Sequence, residues 1–447
     1  MKSFTIQLLL GLSFLLHSCT ETIDPPPPST NVIQLSLQEA SYSKAFLKIT
    51  LPDTLTPRSV VLKRNGTVVA TLLMQKRDTI IVDSNLVPKT TYTYLALRMR
   101  DTTAIEQSQP LQVTTRLKNP REFSWSLDTI SYPGSYQTFM QSIFAISPRD
   151  IFIVGHNERG YGKMYHFDGN VWADVKLSIL QGGNIIGAID LRSLFGFAGR
   201  KIFAVGEELW SNPRPPPSVL DSSIIIRFDG QTWWKEPLES RGRWLNTIWG
   251  ASENDLWAGG AYGTLYHYDG VRWKKITFDS TTTIVNIFGF SGTEVYATGY
   301  DQTKGNSPND TSKTMMYHFD GNKWTLLATN RYYKGYKEET FGATKMWGLS
   351  PDLFYSISAY SIYKWEGGSW KRLATTTNAF LSIYGTGPDN IYVVGINNEV
   401  FHFNGSNWYR VEQIPYRDVL FRDVWCTEEE VFIVGYDANK TIVYHGK

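Results

Sequence analysis

One short pattern recurs through the C-terminal part of this chain and limits what it can fold into: an aromatic residue, an acid or amide, a glycine, then a tryptophan. The fullest copy is Leu265-Tyr266-His267-Tyr268-Asp269-Gly270-Val271-Arg272-Trp273. Phe167-Asp168-Gly169 leads to Trp172, Phe228-Asp229-Gly230 to Trp233, Phe319-Asp320-Gly321 to Trp324, Trp365-Glu366-Gly367 to Trp370, and Phe403-Asn404-Gly405 to Trp408. A seventh copy, Val443-Tyr444-His445-Gly446, lacks the tryptophan. The turn glycines are separated by 61, 40, 51, 46, 38 and 41 residues.

A period near 40 to 50 with several alternating strands per unit points to a β-propeller of seven blades over residues 123–447. In the clearest unit the four strands read Leu245–Gly250, Asp255–Gly259, Thr264–Tyr268 and Arg272–Ile276. The seventh unit has no fourth strand, whereas Phe123–Ile130 precedes the first unit as a strand without partners. Joining the two would complete the last blade and close the ring, leaving no exposed edge.

The N-terminus carries a different message. Lys2 and the apolar run Phe4–Leu16 form a secretory signal, too short to span a membrane. Leu16-His17-Ser18-Cys19 resembles the lipobox of bacterial lipoproteins, which implies cleavage after residue 18 and a lipid on Cys19. The resemblance implies a bacterial cell-envelope protein, anchored at the outer membrane and exposed at the surface. Pro25–Pro28 would hold residues 19–31 as an extended tether.

Residues 32–116 read as short alternating strands, including Val60–Arg64 and Val68–Leu72 around the turn pair Asn65-Gly66. Leu86-Val87-Pro88-Lys89-Thr90-Thr91-Tyr92 resembles the fibronectin type III pattern, with Tyr92 as its tyrosine corner. That resemblance implies a sandwich used as a spacer. The fold class expected is all-β, a sandwich followed by a propeller. The repeats resemble the Kelch-like or two-component-sensor-like blades of extracellular propellers in lipoproteins of the Bacteroidetes kind, a likeness that speaks to fold and not to function.

Chemistry is scarce. With 44 basic and 42 acidic residues, the net charge of +2 gives no reason to expect nucleic acid as a partner. Two cysteines, Cys19 and Cys426, build no disulfide framework. His166, His267, His318, His402 and His445 share one repeat position, so they are spread over different blades and read as packing residues, not metal ligands. Neither a metal, a nucleotide nor a nucleophile motif occurs, and no cofactor is expected.

The expected binding face is where the units differ in length: Glu207–Ser223, Asp301–Lys313, His156–Lys163, Ser178–Ser193 and Asn330–Thr340. All would emerge on one face, together with Tyr161, Trp210, Arg214, Arg241, Arg243, Trp244, Tyr262, Arg331, Tyr332, Tyr333, Tyr336, Tyr360, Tyr416 and Arg417. Aromatic and guanidinium groups dominate recognition surfaces. The sequence therefore favours a surface-tethered module for a glycan, peptide or protein. It leaves open an extracytoplasmic polysaccharide hydrolase or lyase using acids among Glu207, Glu208, Asp221, Asp301, Glu338 and Glu339, or a structural part in an envelope complex.

Overall fold

Alternation of apolar and polar residues, with glycine turns between short runs, leaves every described element a strand. A computed structural model describes residues 33–447 except 41, 53–58, 75–76, 116–122, 158–161, 178–187, 198–200, 216, 218, 241, 304–312, 334–335, 367, 406 and 415–417; residues 39, 219, 332–333 and 336–338 are described by backbone alone. The signal and tether, Cys19 included, lie outside the described residues.

The chain divides into two compact units, one of residues up to Ser36, Lys48–Thr79 and Thr93–Gln112, the other of Leu37–Leu47, Ile80–Tyr92 and Val113–Lys447. Between residues 34 and 114 the strands form two sheets. Gln34–Ala40, Ala45–Thr50 and Asp78–Asp83 make one; Thr67–Leu73, Ser59–Arg64, Thr91–Arg100 and Thr103–Gln107 make the other, with Leu111–Thr114 also on Thr91–Arg100. Asn65 and Gly66 both take positive φ, 48° and 83°, as a tight hairpin of this kind requires. The Tyr92 hydroxyl accepts the Val87 amide at 2.9 Å.

From residue 125 onward the structure repeats one antiparallel sheet seven times. The first sheet is Thr138–Ser147, Asp150–Asn157, Gly162–Phe167 and Trp172–Asp174, and the third is Leu245–Ser252, Asp255–Gly260, Leu265–Tyr268 and Trp273–Lys275. The seventh is Val419–Cys426, Val431–Asp437 and Lys440–Gly446, with Trp125–Ile130 as its fourth strand. In that pairing Trp125 lies opposite Gly446 and Ser126 opposite His445. Trp125 thus stands where the other units carry their repeat tryptophan, as Trp273 does opposite Tyr268. Each sheet is open, and none closes on itself. The first strands of successive sheets touch, and that of the seventh touches that of the first.

Second strands carry the core. Ile151, Phe152, Ile153 and Val154 are all buried, as are Ile391, Tyr392, Val393 and Val394 in the sixth sheet. Opposite each second-strand aromatic stands the repeat's histidine or cation: Phe152 pairs with His166, Trp257 with His267, Phe432 with His445 and Phe203 with Arg227. The imidazoles stack on those rings, at 4.3 Å for Phe152–His166 and 4.2 Å for Trp257–His267. Their outer nitrogens meet acids, His166 with Asp150 and His267 with Asp255, each at 2.7 Å. The histidines therefore pin strand to strand within single sheets.

The variable segments differ from expectation. Glu207–Ser223 is not a surface loop: strands Lys201–Ser211 and Val219–Phe228 continue their ladder through it, from Glu207 opposite Ser223 to Ser211 opposite Val219. Asn330–Thr340 likewise extends the fourth sheet, where Trp324–Tyr333 turns back into a fifth strand, Tyr336–Glu338. Extending a ladder pairs backbone N–H and C=O groups that a free loop would leave to water.

Candidate functional site

The site begins with an irregularity of register. In six of the seven first strands the ladder slips near its start, leaving one extra residue: Gln141, Arg192, Asn246, Val285, Leu381 and Arg422. Such a bulge re-aims the extra side chain out of the sheet. All six line a cavity of about 580 Å³, and the fifth sheet contributes Thr344 and Lys345 at the equivalent place.

The residue after each bulge is polar and points back into the ring of first strands. Ser142, Thr247, Asn286, Ser382 and Asp423 are buried. Four of these five accept an amide of a neighbouring sheet. Ser142 accepts from the Leu194 N–H at 3.3 Å, Thr247 from Ile287 at 3.2 Å, Asn286 from Met346 at 2.9 Å, and Asp423 from Ile143 at 3.1 Å. Asp423 also accepts from the hydroxyls of Ser142 (3.1 Å) and Ser382 (2.6 Å) and from Lys345 Nζ at 2.5 Å.

Charge in the cavity is paired within the protein at two of its three cations. Arg192 donates to Asp190 at 3.3 Å, to Glu207 at 2.5 Å and to Asn246 Oδ1 at 3.1 Å. Burial raises the Glu207 carboxyl above its ordinary range against the pull of Arg192, and Asp190 and Asp221 add repulsion. Lys345 is taken by Asp423. Among the described residues Arg422 has only the Gln141 side-chain oxygen, at 3.4 Å.

Of the expected binding residues, three come together beside this cavity. Arg243 lies over the rings of Trp244 (5.4 Å) and Tyr262 (5.3 Å), the two rings meet edge to face at 6.0 Å, and Arg192 stands 5.7 Å from Trp244. Trp244 lines the channel cavity, while Trp210, Arg243 and Tyr262 line a neighbouring cleft with Asp221, which pairs with Arg243 at 2.9 Å. Arg214 and Arg331 are exposed and Tyr360 is half exposed, and none is among the described lining residues of either cleft. Tyr161, Arg241, Tyr416 and Arg417 lie outside the described residues, and Tyr332, Tyr333 and Tyr336 are described by backbone alone.

Five of the six acids considered for hydrolysis are engaged, Glu207 with Arg192 among them. Glu208 pairs with Lys235 at 2.9 Å, Asp221 with Arg243, and Glu339 accepts from Ser358 and Tyr363 at 2.9 and 3.1 Å. Asp301 caps its own turn at Thr303, and Glu338 is described by backbone alone. Among the described residues, no group of three or more His, Cys, Asp or Glu side chains is placed to hold a metal ion.

Sequence reasoning missed Arg192, Arg422 and Asp423. The signal available was a polar column, Ser142, Thr247, Asn286, Lys345, Ser382 and Asp423, one residue before a core aliphatic in strands otherwise apolar.

Repeated four-stranded antiparallel sheets, set first strand beside first strand around a lined cavity, define this region as a β-propeller. No protein-family model matches the chain, and no curated protein matches it. Among solved structures the chain is similar to YCF48 bound to D1 peptide, at 14% identity and a TM-score of 0.49, over 72% of this chain and 96% of that one. It is similar to YCF48 from Cyanidioschyzon merolae at 12% identity and 0.48, over 71% and 98%. The WD40 β-propeller domain of Doa1 gives 11% and 0.47, over 72% and 97%. Likeness at this level says nothing of the site.

Proposed function

We propose that this protein is an interaction module tethered to the bacterial cell envelope, which takes a peptide, protein or glycan partner at the mouth of its propeller channel. One observation carries the reading: a single bulged residue from each of six first strands, with Lys345 from the remaining sheet, converges on one cavity beside the Trp244–Arg243–Tyr262 cluster. Rigid aromatic rings and guanidinium groups at the rim of a concave polar site are what recognition surfaces use. The seven sheets act as the blades of one ring, joined between last and first by strand Trp125–Ile130 and by the Asp423–Ile143 bond.

The rest of the chain positions that ring. A lipid on Cys19 would hold it at the outer membrane, facing outward, and residues 19–31 would act as the tether. The sheets of residues 34–114 serve as a fibronectin type III-like spacer, a reading supported by their Asn65-Gly66 hairpin and the Tyr92–Val87 bond.

Two measurements test this. The full chain in nonionic detergent is screened on peptide and glycan arrays beside a Trp244→Ala/Tyr262→Ala variant; no ligand, or ligands indifferent to the change, would refute the binding role. Labelling cells with a fatty acid should mark the wild type and not Cys19→Ala; equal labelling removes the anchor.

A further inference from the structure

Two arginines occupy the same place in different blades. Arg192 in the second blade and Arg422 in the seventh are each the extra residue of a first-strand bulge, and both line the channel cavity. The second blade supplies acid to its arginine. Asp190, two residues earlier, and Glu207, opposite Asp190 in the ladder, take Nε and Nη2 at 3.3 and 2.5 Å. In the seventh blade those two positions are Leu420 and Tyr436, which face each other across the ladder in the same way.

Arg422 is consequently without a carboxylate among the described residues. Among the described residues its guanidinium makes one hydrogen bond, Nη2 to Gln141 Oε1 at 3.4 Å, and its Nε is shut from solvent with no acceptor. Lys345, the cavity's other cation besides Arg192, is spent on Asp423 and Ser382 at 2.5 and 2.9 Å. A guanidinium offers five N–H donors in a planar fork whose matching partner is a carboxylate. Arg422 stays partly exposed to the cavity, and shutting its Nε from water without an acceptor is costly.

We infer that Arg422 receives a carboxylate of the ligand, the counterpart of what Asp190 and Glu207 supply to Arg192, and that the ligand is an acidic peptide segment entering the channel mouth. The same cavity offers the apolar side chains of Leu381 and Val285, the Trp244 ring and the side-chain amide of Gln141. Apolar contacts with amide donors and acceptors suit the side chains and backbone of a peptide. The inference rests on the binding role proposed above and narrows its ligand.

The test uses the full chain in detergent, with three probes: a library of glutamate-containing nonapeptides, the same library with glutamine in place of glutamate, and oligogalacturonate. Retention of the glutamate library alone is expected. Arg422→Gln should weaken the selected peptides about 30-fold or more, with Arg422→Lys recovering part of the loss and both variants keeping the wild-type melting temperature. Arg422→Met serves if the glutamine variant melts early. Peptides that bind through Trp244 but are indifferent to both Arg422→Gln and glutamate removal would overturn this inference while leaving the binding role intact. Capture of oligogalacturonate in place of the acidic peptides would overturn the assignment to a peptide. No ligand in any pool or array would overturn the parent reading and this one with it.

Discussion

The Asp423 carboxylate accepts the backbone N–H of Ile143 at 3.1 Å, bonding the first strand of the seventh blade to that of the first. Comparable bonds link other neighbours, such as Thr247 to Ile287, but Asp423 brings a buried carboxylate that also holds the partly buried Lys345 ammonium. Its oxygens also hold Ser142, Ser382 and Lys345. Asp423→Ala strands several buried donors and an ammonium at once, so we expect it to cost about 3–5 kcal/mol. Thr247→Ala, with one neutral bond, should cost about 1 kcal/mol. Urea unfolding followed by tryptophan fluorescence compares them, and equal losses would contradict the unequal roles.

Tyr262 holds φ at 51°, in the left-handed region that a bulky residue enters at a cost of about 1–2 kcal/mol. The sixth blade makes the equivalent turn with Asn397 and Asn398, at 54° and 58°. Asparagine tolerates this conformation. Tyr262→Asn is therefore expected to melt at or above the wild-type temperature while binding the array-selected ligand more weakly. A clear drop in melting temperature would mean that the ring is there for packing against Arg243 and Trp244, not for a ligand.

Acid should loosen the outer turns. Asp168 accepts the amides of Val171 and Asn170, Asp229 those of Thr232 and Gln231, and Asp320 those of Lys323 and Asn322, and these bonds hold each carboxyl below the ordinary aspartate value of 3.8. Asp269 is lowered as well, first by Lys274 and then by the Arg272 and Val271 amides. A depressed folded-state value contributes stability that is present above 3.8 and is lost as pH falls through the folded value. Replacing all four by asparagine, the residue at position 404, should flatten the decline in urea stability between about pH 5 and pH 2. An unchanged slope would place the acid sensitivity elsewhere.

Burial pushes the Cys426 thiol well above its ordinary range, and the side chain packs with Val424 and Val431 in the core of the seventh blade. Such a thiol is unreactive. In the native chain a disulfide reagent should fail to modify it at neutral pH, with reaction appearing only as urea unfolds the blade; rapid native labelling would refute this.

The repeat was legible because blade turns and core strands are local. Asn65-Gly66, the Asp-Gly turns and the run Ile151–Val154 each announce their conformation within a few residues. At the fifth blade Glu366 pairs directly with Ser369, and Gly368 takes a positive φ. The bulges were not legible. Whether Arg422 leaves the sheet depends on how Phe421 and Asp423 pair with Gly435 and Val434, a property of register between strands and not of either strand alone. The same blindness turned the ladder at Glu207–Ser223 into an expected loop.

The strand Trp125–Ile130 finds its partners in Lys440–Gly446, and Ser124 meets Lys447 from 323 residues away. At a translation rate of about 5–20 residues per second, the two are made roughly 15 to 65 seconds apart. Throughout that interval the leading strand is without a mate, because its mate is still being translated. The timetable of synthesis, more than any single contact, sets when this protein is most open to a chaperone, a protease or a second nascent chain.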